Sequence, residues 1–182
     1  MAAFTVIGHT ELSTAASAIT FASISSSYDH LYLTASLRVA AAQHITDYAQ
    51  PVKIELNNDS GANYSETYMK AGSTTVGGGR YNTGNGYFRM CNVASSLVDA
   101  DCFAAWTLWI PNYSNTSNFK QLLFSGAVEN ASSTDYRWHL LTTAMLYHST
   151  SAITQVELSA ALFPAADFVQ YSSATLYGVK GA

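Results

Sequence analysis

A chain of 182 residues that is 48% hydrophobic, with a net charge of only −4, has enough apolar content for one ordinary domain with a real core and too much for a disordered chain. Charged residues make up 11%, against about 25% in typical soluble domains, so Ser, Thr, Asn, Gln and Tyr, or other subunits, must cover the surface. No Lys/Arg cluster exists, which argues against nucleic acid as a partner. No stretch approaches the length of a membrane-spanning helix, and the start of the chain lacks a basic region followed by an apolar run, so no membrane is expected either.

Taken in chain order, Phe4 to His9 alternates as a short first strand, and Thr10 to Ser17 permits a brief helical turn. Ala18 to Ile24 reads as a second strand, and Ser25 to Ser27 as a turn. Tyr28 to Ala40 carries the clearest pattern in the chain. Leu31, Leu33, Ala35, Leu37 and Val39 alternate with His30, Tyr32, Thr34, Ser36 and Arg38. Successive strand side chains point to opposite faces, so this is a long strand with one face in a core and one face wet or at a contact. A slip of one residue would turn every aliphatic side chain outward, which pins the register.

Val52, Ile54 and Leu56 give another half-buried strand, running into the turn-forming stretch Asn57 to Gly61. Asn63 to Lys70 reads as the return arm of a hairpin. The glycines from Gly72 to Gly86 predict a long loop, ordered by a partner, with Arg80, Tyr81 and Tyr87 as its anchors. Tyr87 to Asn92 reads as a strand, and Ser95 to Cys102 allows one helical turn. Ala104, Trp106, Leu108 and Ile110 form a confident strand that Pro111 ends. Asn112 to Asn118 is a polar turn. Leu122 to Val128, Trp138 to Tyr147, Val156 to Leu158 and Ser173 to Val179 supply further strands, with a loop opening at Phe163-Pro164. Roughly ten strands with closely spaced turns favour an all-β sandwich or barrel. Each sheet would have one apolar face needing cover, so the expectation is one domain over residues 1–182, a two-sheet antiparallel β-sandwich. Its expected core is Leu31, Leu33, Leu37, Val39, Val52, Ile54, Leu56, Trp106, Leu108, Leu122, Phe124 and Leu176.

Patterns that carry chemistry are scarce. Placing Gly61 at the obligatory glycine of a calcium loop puts Leu56 at the first ligand and Thr67 at the last, and neither suits calcium. Gly77 to Gly79 and Gly84 to Gly86 lack the Lys-Ser or Lys-Thr of a phosphate loop. His9, His30, His44, His139 and His148 form no ligand-like pair on one element, and nothing marks a nucleophile elbow. No cofactor is expected and no enzymatic activity, although a hydrolase whose triad assembles from distant positions is the rival. Cys91 and Cys102 suit either a local disulfide or, better in a reducing cytoplasm, two buried free thiols. Matches to the glycosylation acceptor pattern, as at Asn63 and Asn112, are expected by chance in a chain so rich in Asn and Ser. The tyrosines on outward faces and in loops are more informative, since aromatic rings with polar tips are enriched at interfaces and can also stack on sugars. Tyr32, Arg80, Tyr81, Tyr87, Trp109 and Tyr113 are the candidate interface residues.

Three stretches resemble one group of proteins. Ala18-Ile19-Thr20-Phe21-Ala22-Ser23-Ile24 followed by Tyr28-Asp29-His30-Leu31 is similar to a segment of small virion proteins of tailed bacteriophages. So are Ile54 to Tyr64, as a strand, turn and strand, and Ala174 to Gly181, as a closing strand. The resemblance implies a jelly-roll-like β-sandwich in the virion, assembled in the host cytoplasm. It would act as a head decoration or cement protein on the major capsid protein, or as a head- or tail-fibre module that binds host-surface carbohydrate. It implies a homotrimer and carries over no catalytic or cofactor residues. Sparse charge and abundant Tyr, Asn and Ser fit a homo-oligomer on the same reading.

Overall fold

The computed structural model describes residues 3–40, 49–72, 75–89, 91–129, 139–160 and 166–181. They form thirteen strands: β1 (Ala3–Glu11), β2 (Ala18–Phe21), β3 (His30–Leu37), β4 (Ala49–Pro51), β5 (Lys53–Leu56), β6 (Tyr64–Ala71), β7 (Val76–Asn85), β8 (Asn92–Ala94), β9 (Ala104–Pro111), β10 (Lys120–Ala127), β11 (Leu140–Tyr147), β12 (Val156–Ser159) and β13 (Ser173–Lys180). Eight of them make one antiparallel sheet in the order β1-β13-β3-β9-β10-β11-β6-β7. Three make a small sheet, β2-β12-β5, and β4 pairs with β8. The fold is therefore all-β, with a large and a small antiparallel sheet arranged as a β-sandwich.

Alternation decides which side of each strand faces inward. From the large sheet, Leu31 and Leu33 of β3, Trp106 and Leu108 of β9, Leu122 and Phe124 of β10, Met145 of β11 and Leu176 of β13 are buried. Across from them the small sheet contributes two cross-strand rows, Ile19–Leu158–Ile54 and Phe21–Val156–Leu56. All these residues belong to one hydrophobic cluster, which includes every residue of the expected core. Burial of this kind stabilises by about 25 cal/mol per Å² of apolar surface removed from water, and it sets the register of each strand.

Several sequence expectations give way. Asn57 to Asn63 does not close a hairpin: β5 lies in the small sheet and β6 in the large one, so this stretch carries the chain between layers. Asn57 and Asn58 both take positive φ, which asparagine tolerates better than most residues. Thr10 to Ser17 contains no helical turn, because β1 continues to Glu11 and Ala16 bridges to Phe168. Ser95 to Cys102 holds turns closed by Val98 N–H to Ser95 O and Cys102 N–H to Asp99 O. Most of the Gly72 to Gly86 loop is a strand, because β7 pairs with β6 from Ala71↔Val76 to Glu66↔Tyr81 and, past a break in register, at Tyr64↔Asn85. Arg38 stands on the supposedly wet side of the long strand, yet it is buried. Its Nη1 donates to Asp99 O (2.6 Å) and Cys102 O (3.1 Å), and its Nη2 to Val98 O (3.1 Å). A guanidinium is the one cationic group that can serve three carbonyls at once in a fixed plane. Cys91 and Cys102 are free thiols, and burial pushes both above the usual thiol range. His44, the start of the strand at Trp138, and Phe163-Pro164 lie outside the described residues.

Candidate interaction face

The small sheet does not reach the outward side of the large one, and the residues there share one register. Val6, Tyr177, Tyr32, Trp109, Leu123, Ala144, Thr67 and Arg80 stand side by side across all eight strands. The neighbouring row is His9, Thr175, Thr34, Thr107, Ser125, Thr142 and Met69. The next is Glu11, Ser173, Ser36, Ala105, Ala127, Leu140, Ala71 and Val76. Within the six strands between the two edges, no outward residue is Asp, Glu, Lys or Arg. Glu11 on β1 and Arg80 on β7 mark the opposite edges.

Most of the large apolar side chains left in solvent lie on this face: Phe4, Val6, Met69 (68% exposed), Val76, Leu123 (51%) and Leu140 (53%). The aromatic residues gather on one half of it. Tyr32 sits 6.3 Å from both Trp109 and Tyr177, Phe4 meets Tyr32 edge-on at 5.7 Å, and His30 lies 5.0 Å from Trp109. His30 Nδ1 accepts the Asn112 backbone N–H, which holds that ring in place. On the other half a shallow depression of about 290 Å³ lies over Ser65, Thr67, Ala144 and Leu146, with Glu66, Arg80, Gln121 and Met145 also on its walls, and another of about 180 Å³ lies where β9 meets β10, over Ala105, Thr107, Ser125, Ala127 and Leu140.

The outside of the small sheet is different. On three short strands it carries Lys53, Glu55 and Glu157, with Thr20 donating to Glu157 Oε2 at 3.2 Å. Partial burial and the neighbouring Glu157 raise the Glu55 carboxyl. One outward face of the sandwich is thus charged, and the other carries no charge across its middle and several exposed apolar side chains.

The six candidate interface residues separate in space. Tyr32 and Trp109 come together on the outward face, and Arg80 stands at its edge. Tyr81 turns to the inner side of β7, where it stacks on Tyr68 at 5.9 Å under the Arg89 guanidinium. Tyr87 lies beside the small sheet, with Lys53 Nζ 4.9 Å from its ring centre. Tyr113 is a core residue with no exposure; its hydroxyl donates to Ser25 O. It follows Pro111, where alternation ends, so no pattern reports its direction. Phe4, Tyr177, Leu123, Leu140 and Met69 were missed. The signal for most of them lay in strands whose outward positions carry no charge, while charged residues such as Glu66 and Lys120 fall on the inward side.

A cleft of about 640 Å³ opens between β1 and the stretch from Phe21 to Tyr28. It is lined by Thr10, Thr20, Ser23, Ser25, Ser27 and His9, with no carboxylate, amine or thiol among its walls. The His9 ring bonds the Thr175 hydroxyl at 2.8 Å rather than an orienting carboxylate. Among the described residues no group of three His, Cys, Asp or Glu side chains could hold a metal ion. Comparison with family models, with curated proteins and with solved structures gives no match.

Proposed function

We propose that this chain is a non-enzymatic structural protein of a bacteriophage virion, a head decoration or cement protein that works through protein contacts. The observation that supports the reading is the outward face of the large sheet, which carries no Asp, Glu, Lys or Arg across its six inner strands. Interface cores are depleted of charge and enriched in aromatic residues, and a soluble protein rarely leaves so much contiguous apolar surface in water. The virion setting, the likeness to a jelly roll and the major capsid protein as partner rest on the resemblance of the three sequence stretches. A neutral, hydroxyl-rich contact suits a protein that occupies many equivalent sites on a lattice, because no single charged pair must form for each copy to seat.

The second reading is a fibre module that binds host-surface carbohydrate, and the aromatic row supports it. The interplanar angles speak for the first. Tyr32 is inclined 41° to Tyr177 and 56° to Trp109, so the rings pack on one another rather than offering a common platform to a run of sugars. The test is imaging of purified virions of the encoding phage, with Leu123→Arg as the variant. Density at regular capsid positions, lost in the variant, is the expected outcome. Density at a fibre tip, with signal on a glycan array, would establish the second reading, and absence from the particle would defeat both.

A further inference from the structure

We propose that the outward face of the large sheet is self-complementary and seats a second copy of this chain, face to face, about a two-fold axis running along the strands between β9 and β10. The proposal rests on reading that face as a protein contact, and it names the occupant. A two-fold in this direction lays β9 over the partner copy's β10, β3 over β11, β13 over β6 and β1 over β7. Trp109 meets Leu123, while Tyr32 and Tyr177 come over Ala144 and Thr67, where the 290 Å³ depression lies. The bulk on one half of the face thus enters the hollow of the other half. The rival two-fold, running across the strands, would set aromatic strand on aromatic strand and leave the hollows facing each other.

At the rims the same axis sets Val6 over Arg80 and Glu11 over Val76, so the carboxylate and the guanidinium share a rim two rows apart and form no direct ion pair. The rival axis would put two carboxylates on one rim and two guanidiniums on the other. The area is sufficient. Six strands about 4.8 Å apart and about eight residues long present roughly 800 Å², which is the share per partner of a standard-size stable interface. Two twisted antiparallel sheets stacked at about 30° is also how sandwich cores are built, so the pair would form a second sandwich between the protomers.

Sedimentation velocity of the purified chain at micromolar concentration tests this. The expected result is a dimer that becomes monomeric in Leu123→Arg and in Ala144→Phe, with protomer melting unchanged, and that persists in Thr20→Arg, which lies on the outside of the small sheet. Tyr32→Ala should weaken the dimer at least tenfold. The double variant Tyr32→Ala with Ala144→Phe should recover most of that loss, because under this symmetry the new ring enters the space the old one left. A native monomer, a trimer, a dimer indifferent to Leu123→Arg, or a double variant no better than either single one would overturn the proposal. A monomer whose particle occupancy is still lost with Leu123→Arg would overturn this inference and leave the contact reading standing. A dimer absent from virions would leave this inference and the contact reading standing and overturn the virion role.

Discussion

The Asp59 carboxylate ties the crossing between the two sheets to the end of β11. Its Oδ2 accepts from the Tyr147 hydroxyl (2.7 Å) and Asn63 Nδ2 (2.9 Å), and its Oδ1 from Gly61 N–H (2.8 Å). Tyr64, buried against Tyr147, donates its hydroxyl to Asp59 O at 2.8 Å and accepts the Leu56 N–H. The Tyr147 bond is the main reason the Asp59 carboxyl sits below its ordinary range, while burial and then that same bond push the Tyr147 phenol up to about 12. Because the folded-state value of Asp59 is lowered, its contribution is fully present above the ordinary carboxylate range, near pH 4, and is lost as pH falls through the folded value. The phenol has the opposite sign: its contribution holds below about pH 10 and is lost as pH rises towards 12. Asp59→Asn is expected to cost about 1–2 kcal/mol at neutral pH. Melting curves between pH 6 and about pH 2 should fall more steeply for the native chain than for this variant. Asn57 to Gly61 is legible in sequence as a turn. Its role as the clasp between layers is not, because Tyr147 lies far along the chain.

The strand β7 shows how an element can exist against its own composition. Gly77, Gly78 and Gly79 offer no side chains to pack, and glycine weakens an isolated strand. The partner strand decides the matter. β6 presents a continuous ladder from Glu66 to Ala71, broken only before Tyr64, and Tyr68 covers Gly79 so closely that a Cβ there would lie 2.6 Å from its hydroxyl. A larger residue could not sit under that ring without displacing it from Tyr81. Hydrogen exchange on the purified chain is expected to show slow amides in β7 wherever the ladder to β6 places a bond. Exchange across Val76 to Asn85 as fast as in an unstructured peptide would contradict the strand. The sequence reading went wrong here because strand propensity measures packing against neighbours, and the neighbours of β7 are not adjacent in sequence.

At the scale of the molecule, the two sheets divide the labour. Their facing sides make one core, so Leu33→Asp, which buries an unpaired charge where Leu33 has no exposure, should destabilise by about 4 kcal/mol or more. Chemical denaturation measures it, and a change below about 1 kcal/mol would place Leu33 on the wrong face. Their outward sides carry opposite chemistry, with Lys53, Glu55 and Glu157 on the small sheet and none of these types across the middle of the large one. The stability of the protomer rests on the first pair of surfaces, and the association proposed for it rests on the outward side of the large sheet.

What the chain determines by itself is local. Period-two alternation from Leu31 to Val39, from Val52 to Leu56, from Ala104 to Ile110 and from Leu122 to Gly126 specified strands, their inward sides and the expected core, since side chains on an extended backbone must point to opposite faces in turn. Only the tertiary structure decided which strands are neighbours. That choice put Tyr32 beside Trp109 and Tyr177, turned Tyr81 inward, buried Tyr113, drew the guanidinium of Arg38 onto three carbonyls and made a strand of a glycine-rich stretch. Pairing joins residues up to the length of the chain apart, as β1 with β13, and its energy depends on cross-strand packing that no local pattern contains.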